Sequence, residues 1–317
     1  MDRQEKERVE NRYGIGEWYG RLFTNLSAAQ RRELAAMQKA PRSARPKQRC
    51  PWRSTRDKVV TCSKEGGVCS LRLYCRDPVR REVWPAEGPE GMLCTTCPGR
   101  FYERGLVFQW VGEAVLGHPR PRIVREIGFL ERTGRGRRGP DDAAGRAEVA
   151  RIDHVLVHPD TRTLRWCALE MQAVYFSGAR FSEDFATLER GGDQGLPFPQ
   201  GKRRPDFRSS GPKRLMPQLQ VKVPALRRWA KKMCVVLDRS FYDELAGMEE
   251  VDDLSSCDIA WFVVRYDTSG DRARLERDVV HITTLERAVE GLTAGRPVSQ
   301  EYFENQIREK LKRASIR

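Results

Sequence analysis

Two acidic residues and one amide carry the clearest chemical signal in this sequence, at the spacing Asp153-x16-Glu170-x-Gln172. They fall in two strand-like runs, 151–158 and 164–172, and the Pro-Asp-Thr-Arg-Thr between the runs is typical of a turn. Because side chains alternate between the faces of a strand, Glu170 and Gln172 should point the same way. The short turn pairs the strands and should bring Asp153 alongside them. Two hard anionic oxygens at such a spot suit Mg²⁺.

The chemistry of such a site is phosphodiester hydrolysis. A divalent metal held in this way would polarise a phosphodiester and lower the pKa of an attacking water. The alternative is a solvated hairpin whose acids face water, since acidic residues are common on strands. The second strand is apolar, with Trp166, Cys167, Leu169 and Met171. Its predicted burial favours the metal site, because a buried Glu170 needs a partner.

Two further sets of residues could contribute metal ligands. Glu113 lies on the apolar stripe of a predicted helix over residues 102–117, so it could add a third carboxylate to the same metal site. It could equally be a carboxylate at the edge of the stripe that reaches solvent. His154 and His158 share one strand face, but no third ligand of the same type lies nearby.

Six of the nine cysteines lie in one stretch, at the spacing Cys50-x11-Cys62-x6-Cys69-x5-Cys75-x18-Cys94-x2-Cys97. In a chain without an export signal, such a cluster indicates metal ligands before disulfides. Four thiolates in a tetrahedron bind Zn²⁺ or Fe and make a structural site. The alternative is a set of buried reduced thiols, and the spacing alone does not select four of the six.

The overall charge favours a polyanionic partner. Lys and Arg number 58 against 44 Asp and Glu, so the 317-residue chain carries a formal charge of +14. Contacts from Lys and Arg to phosphates supply affinity for nucleic acid that does not depend on sequence. The basic residues cluster at 42–49, 132–138, 201–205 and 222–232. A merely soluble basic protein remains the alternative for charge alone.

Composition excludes other classes of protein. A hydrophobic content of 39% is enough for a core and argues against wholesale disorder. No uninterrupted apolar run is long enough to cross a membrane, and the first residues lack the apolar segment of a secretory signal. We therefore expect a cytoplasmic globular protein without a membrane partner.

The elements that would position these residues indicate an α/β fold. Buried strands are predicted over 233–237 and 259–266, and helices over 1–40, 181–191 and 223–232, with two more beginning near Thr283 and Ser299. Ser27 and Gln30 fit a capping box within the first helical region. Residues 132–149 and 192–214 are predicted to form long irregular loops, which are often functional. Strands that alternate with helices imply the α/β class.

Several segments resemble one known family. Cys-Pro-Trp-Arg (50–53), Cys-Ser-Lys-Glu-Gly-Gly-Val-Cys-Ser-Leu-Arg (62–72) and Thr-Cys-Pro-Gly-Arg-Phe (96–101) resemble the cysteine motif of NotI-type type II restriction endonucleases. The Asp-His…Glu-Met-Gln hairpin resembles that family's variant of the PD-(D/E)xK nuclease core. The basic segment 204–219, with the Lys-Val-Pro-Ala-Leu-Arg-Arg-Trp-Ala-Lys-Lys that ends at 232, is also similar. The resemblance covers roughly residues 50–240.

The resemblance implies a PD-(D/E)xK-like mixed central sheet flanked by helices. On this basis we predict a helical N-terminal arm over 1–48, a Cys-rich metal-binding module over 49–101, a nuclease core with basic DNA-binding loops over 102–295, and a C-terminal helix over 296–317. The implied enzyme is a homodimer that uses Mg²⁺ to cut both strands of double-stranded DNA at a GC-rich palindrome. A cognate DNA methyltransferase would be its genetic partner rather than a bound subunit.

The resemblance also implies residue roles. Asp153 and Glu170 would bind the catalytic metal. Gln172 replaces the Lys of the general PD-(D/E)xK pattern and, as an uncharged amide, could only orient water or a phosphate oxygen. The structural metal, Fe or Zn, would be held by Cys50, Cys62, Cys69 and Cys97. Cys75 and Cys94 are then supernumerary, and either could still be a ligand. The candidate DNA contacts are Arg208, Lys213, Arg214, Gln218, Lys222, Arg227 and Lys231.

Two other functions fit the same residues. A non-catalytic, sequence-specific DNA-binding protein with a four-cysteine metal site would share the charge and the cysteines. A repair or mobile-element nuclease would share the carboxylates but have little sequence preference.

Overall fold

A computed structural model describes residues 9–40, 43, 45–131, 148–191, 195–293 and 298–314. The basic cluster at 132–138 and nearly all of the predicted loop over 132–149 lie outside the described residues. Among the described residues, no helix has both the length and the apolar composition needed to cross a membrane.

The strands are β1 (Glu10–Trp18), β2 (Arg21–Leu22), β3 (Val68–Arg76), β4 (Val83–Pro85), β5 (Cys94–Thr95), β6 (Arg122–Glu131), β7 (Glu148–Val157), β8 (Trp166–Met171), β9 (Tyr175–Gly178), β10 (Arg203–Asp206), β11 (Met233–Asp238), β12 (Ile259–Asp267) and β13 (Arg274–Thr283). The helices are α1 (Ala28–Lys39), α2 (Leu106–Val111, continued by a π-helical turn over Gly112–Leu116), α3 (Ser182–Arg190), α4 (Phe207–Ser210, continued by a π-helical turn over Gly211–Leu215), α5 (Met216–Arg228), α6 (Arg239–Tyr242), α7 (Leu285–Thr293) and α8 (Gln300–Ala314).

A six-stranded mixed sheet forms the centre of the molecule, in the order β13-β12-β11-β8-β7-β6. Its central strands β8, β11 and β12 are parallel, and the outer strands are antiparallel. The predicted buried strands over 233–237 and 259–266 are confirmed, because both faces of the sheet are covered. One face packs on α5 and the other on α2. The chain is therefore a mixed α/β protein.

A second, smaller sheet has the order β2-β1-β3-β4, with β5 also paired to β3. The prediction that residues 1–40 are helical is wrong for Glu10–Trp18, which pairs with β3 as strand β1. Among the described residues 9–40, α1 is the α-helix and Phe23–Asn25 forms a short 3₁₀ turn. The capping box between Ser27 and Gln30 is confirmed. Pairing with a distant strand has overridden the local pattern, as is common for strands.

Two other predicted elements differ from the structure. The segment 192–214 is not one irregular loop, because β10 pairs with β9 and is followed by helix α4. Strand β13 was not predicted, and it pairs antiparallel with β12 along its length. The remaining predicted helices are present, although α5 begins at Met216 rather than at residue 223.

Candidate active site

The β7–β8 hairpin brings the two predicted carboxylates together. Its register pairs His154 with Leu169, so the next residues, Asp153 and Glu170, lie across from each other. Both line a cavity of about 380 Å³ together with Gln172, a volume within the range of ligand sites. Gln172 lies just beyond β8, and its side chain donates a hydrogen bond of 2.7 Å to the backbone carbonyl of Ala173. All three predicted groups thus face one cavity.

Glu170 is a buried carboxylate, and the positive charge near it does not offset the effect of burial. Its side chain is 4% exposed, and burial raises its pKa to about 7, with Lys222 lowering the value and Asp153 raising it. Two carboxyl groups this close disfavour double ionisation. A divalent cation between them would stabilise both charges, so the pair is chemically suited to a metal.

Lys222 lies directly against Glu170. Helix α5 carries it, and its ammonium group donates to Glu170 Oε1 and, at 3.2 Å, to Gln218 Oε1. The side chain is buried, with 5% of the residue exposed. The predicted contact between Lys222 and DNA needs correction, because protein covers the ammonium group and a carboxylate pairs with it.

The other predicted DNA contacts divide into two groups. Arg214 and Gln218 line the same cavity as the carboxylates, and the Arg214 guanidinium lies 3.7 Å over the Tyr175 ring. Arg208 and Lys213 are exposed on the helical segment that leads into α5. Arg214 and Gln218 therefore lie at the candidate site itself.

Arg227 and Lys231 lie away from the cavity. The Arg227 guanidinium forms ion pairs with Asp258 and Glu286. The Lys231 ammonium lies 5.6 Å from the centre of the Trp166 ring, at the start of β8. Glu170 is four residues further along this strand than Trp166. Roughly 13 Å of backbone therefore separates Glu170 from the residue that Lys231 contacts.

The structure does not bring Glu113 to this site. Its carboxylate accepts hydrogen bonds from Arg277 at 2.5 Å and from Gln109 at 2.9 Å. The helix that carries Glu113 packs with Leu169, whereas Glu170 points to the opposite face, against α5. The apolar stripe correctly indicated a packed helix, but it could not tell which face of the sheet the helix covers.

Glu126 is a carboxylate that the sequence analysis missed. It lies on β6 between Arg125 and Ile127, which pair with His154 and Ile152, so it sits opposite Asp153. Glu126 and Asp153 line a second cavity, of about 390 Å³, and Asp153 also lines the first. Its φ of +54° is unusual for a residue other than glycine. The sequence signal is weak, because Glu126 follows Arg125 in a run of mixed polarity, and residues 132–147 separate β6 from β7.

The two histidines of β7 have separate environments. His154 is buried, its Nε2 lies 2.5 Å from the Tyr102 hydroxyl, and burial lowers its pKa. His158 Nδ1 accepts a 3.0 Å hydrogen bond from the backbone N–H of Asp160. They do not form a shared pair of ligands.

Three of the proposed thiol ligands, Cys50, Cys62 and Cys97, line the cavity that holds Asp153. The loop between the first two is closed at its base, since Cys50 N–H donates to Val60 and Cys62 N–H donates to Gln48, each at 2.7 Å. Burial raises the pKa of Cys97, while the backbone N–H groups of Gly99 and Arg100 lower it.

Cys69 belongs with these thiols. Burial raises its pKa, and the neighbouring Cys97 raises it further. Cys94 instead faces Asp238 and Ser240, and Cys75 lies on β3 across from Trp84. Within the described residues, no three acidic, cysteine or histidine side chains already surround a common metal position. Thiols are soft ligands, and Cys50, Cys62 and Cys97 share one cavity while Cys75 and Cys94 are not among its lining residues.

Arg100, three residues after Cys97, connects this region to both sheets through hydrogen bonds. It is fully buried and donates to Glu17 at 2.9 and 3.0 Å, to Glu103 at 2.6 Å, and to the carbonyl of Ala273 at 3.0 Å. Ser70 also donates to Glu17. The guanidinium stacks on Trp52 as well, 3.9 Å from the ring centre. The network joins β1, the cysteine region and the segment that precedes β13.

Comparison with known proteins identifies one family. The family model described as Restriction endonuclease NotI matches residues 33–276 of the 317-residue chain. No curated protein matches the chain. The matched residues include both carboxylates, the six clustered cysteines and helix α5.

Proposed function

The chain belongs to the NotI restriction endonuclease family, and we propose that it hydrolyses both strands of double-stranded DNA at a GC-rich palindrome, with Mg²⁺ as cofactor. The observation that carries this proposal is the meeting of Asp153 and Glu170 across the β7–β8 hairpin, in one cavity with Arg214. Carboxylates that ligate a metal, next to a cation that can contact phosphate, are the groups that phosphodiester hydrolysis needs.

Asp153 and Glu170 would hold Mg²⁺, and Glu126 would add a third carboxylate from the neighbouring strand. Bound Mg²⁺ would supply an activated water and stabilise charge on the scissile phosphate. Gln172 has no charge and cannot act as a base, so its amide would orient the water or a phosphate oxygen. Arg214 reaches the same cavity with a permanent positive charge and is suited to bind a phosphate oxygen.

DNA would contact Arg214 and Gln218 at the cavity, and the exposed Arg208 and Lys213 of the preceding helical segment would add further contacts. Contacts from such side chains to phosphate fix the register of the duplex, and contacts to base edges give specificity. Arginine pairs with guanine in a bidentate manner, which supports a GC-rich site. Arg227 is less available for this role, because two carboxylates already neutralise it.

A homodimer would place one such site on each strand. Helix α8 supports this proposal, because Phe303 and Ile307 expose 58% and 44% of their surface along one side. Its first half carries Glu301 and Glu304, whereas its second half is net positive, with Arg308 and the lysines at 310 and 312 beside a single acid, Glu309. Two copies packed antiparallel would therefore match opposite charges while they bury the apolar side chains.

A restriction endonuclease must be prevented from cutting its own host's DNA. We therefore include in the proposal a cognate DNA methyltransferase encoded with this chain, and the cytoplasm as the compartment where foreign DNA is met. The methyltransferase would act on the same sequence without being a bound subunit.

Incubation of plasmid DNA with the purified protein and Mg²⁺ tests this function. We expect discrete fragments, and we expect linear rather than only nicked product from a plasmid with one site, since two subunits act together. Sequencing the fragment ends would give the recognition site. Binding without cutting would favour the non-catalytic DNA-binding protein, and a smear would favour a nuclease with little sequence preference.

The structural metal, Fe or Zn, would be held by Cys50, Cys62, Cys69 and Cys97. We expect one metal per chain to co-purify with the wild type. Cys62→Ser should lose most of this metal and about 2 kcal/mol of the free energy of unfolding, because a ligand is removed. Elemental analysis and urea unfolding measure the two effects.

Cys75→Ser is the matched control, since this thiol lies away from the other four and should keep the metal. A wild-type protein that is as stable without the metal as with it would contradict the assignment of these four ligands. Loss of metal from Cys75→Ser would instead indicate that Cys75 is one of the ligands.

A further inference from the structure

We propose that Lys222 is a positioning residue of the nuclease site, which holds one oxygen of Glu170 so that the other oxygen faces Asp153 and the metal. The inference rests on the proposed function. It assigns to helix α5 a contribution that the hairpin lacks, because Gln172 brings no charge to the site.

The geometry supports a role through Glu170 rather than a direct contact with DNA. The Lys222 ammonium binds Glu170 Oε1 and is covered by protein. Gln218, one helical turn earlier, accepts a second hydrogen bond from the same ammonium and lines the cavity. Lys222 therefore contacts Glu170 from the protein side, whereas Gln218 lies next to Lys222 and lines the cavity.

A purely structural role explains this arrangement less well. Lys222 is flanked on α5 by Leu219, Val223 and Leu226, which pack on the central sheet. Placing an ammonium group among such side chains has a desolvation penalty that an ion pair does not fully recover, and an apolar residue would serve packing better. A cation at this position is explained if Glu170, the carboxylate that it orients, binds the catalytic metal.

The test compares divalent-metal binding and DNA cleavage in Lys222→Met with the wild type. Mn²⁺ serves as the probe, and its dissociation constant is measured from the electron paramagnetic resonance of the free ion. We expect Lys222→Met to weaken Mn²⁺ binding at least tenfold and to need a correspondingly higher Mg²⁺ concentration for half-maximal cleavage. Lys58→Met removes one exposed positive charge outside the site and is the matched control, expected to match the wild type.

Lys222→Gln covers the case in which the methionine variant does not fold. Its amide can still donate to Glu170, so we expect a folded protein whose Mn²⁺ binding is weakened less than tenfold but measurably. Wild-type Mn²⁺ binding in whichever variant is folded would overturn the inference, and so would a lowered stability with unchanged metal binding. A wild-type protein that neither binds Mn²⁺ nor cuts DNA would overturn the proposed function itself, which is a different outcome.

Discussion

Asp153→Asn and Glu170→Gln are each expected to lower the rate of DNA cleavage by roughly 10³-fold or more. Each change keeps the shape of the side chain and removes the negative charge that would hold the metal. Loss of metal-derived stabilisation amounts to several kcal/mol of transition-state free energy, which corresponds to about three powers of ten in rate. Single-turnover cleavage of a plasmid at saturating Mg²⁺ measures the effect.

DNA binding should survive both changes, because the basic side chains on α4 and α5 are untouched. A gel-shift assay in the absence of Mg²⁺ checks this. Asp160→Asn is the matched control, since it removes a carboxylate from the turn of the same hairpin, where Asp160 pairs with Arg162 at the surface. Cleavage at the wild-type rate by Asp153→Asn or Glu170→Gln would exclude the proposed metal site.

Arg100→Leu should lower the free energy of unfolding by about 3–5 kcal/mol, the usual cost when one partner of a buried ion pair is removed. Glu17 and Glu103 would lose their shared cation, and Glu17 is fully buried. Burial already raises the pKa of Glu17, so the variant should take up a proton there. Urea unfolding followed by circular dichroism measures the loss.

Arg162→Leu provides the comparison, because its ion pair is exposed and should contribute less than about 1 kcal/mol. The double variant Arg100→Leu, Glu17→Leu should regain part of the stability, since no buried charge on β1 is then left unpaired. Equal stability of Arg100→Leu and the wild type would show that this network does not hold the two sheets together.

The parts of the site that sequence reasoning could find are those encoded locally. Asp153 and Glu170 belong to one hairpin, and the alternation of its strands with a short turn was enough to place them face to face. The buried strands β11 and β12 were likewise evident from their continuous apolar runs.

The remaining parts depend on contacts between distant segments. Glu126 lies across from Asp153 because β6 pairs with β7, and Lys222 reaches Glu170 because α5 packs on the central sheet. Neither pairing has a local signature, so Glu126 was missed and Lys222 was predicted to bind DNA. Glu113 shows the converse, since its helix was found but the covered face of the sheet was not. The local pattern of residues 10–18 predicts helix, but pairing with β3 overrides this preference and makes them strand β1.

One continuous helical segment carries Arg214, Gln218 and Lys222 at intervals of four residues. The orientation of these side chains relative to one another therefore depends on the length of the segment. Deletion of a single residue between Leu215 and Gln218 would rotate everything before it by about 100° relative to α5. The guanidinium would then swing out of the cavity while the ammonium stayed in place. A substitution along this segment therefore changes one side chain and leaves the others in place, whereas a change of length preserves their alignment only if it adds or removes whole turns.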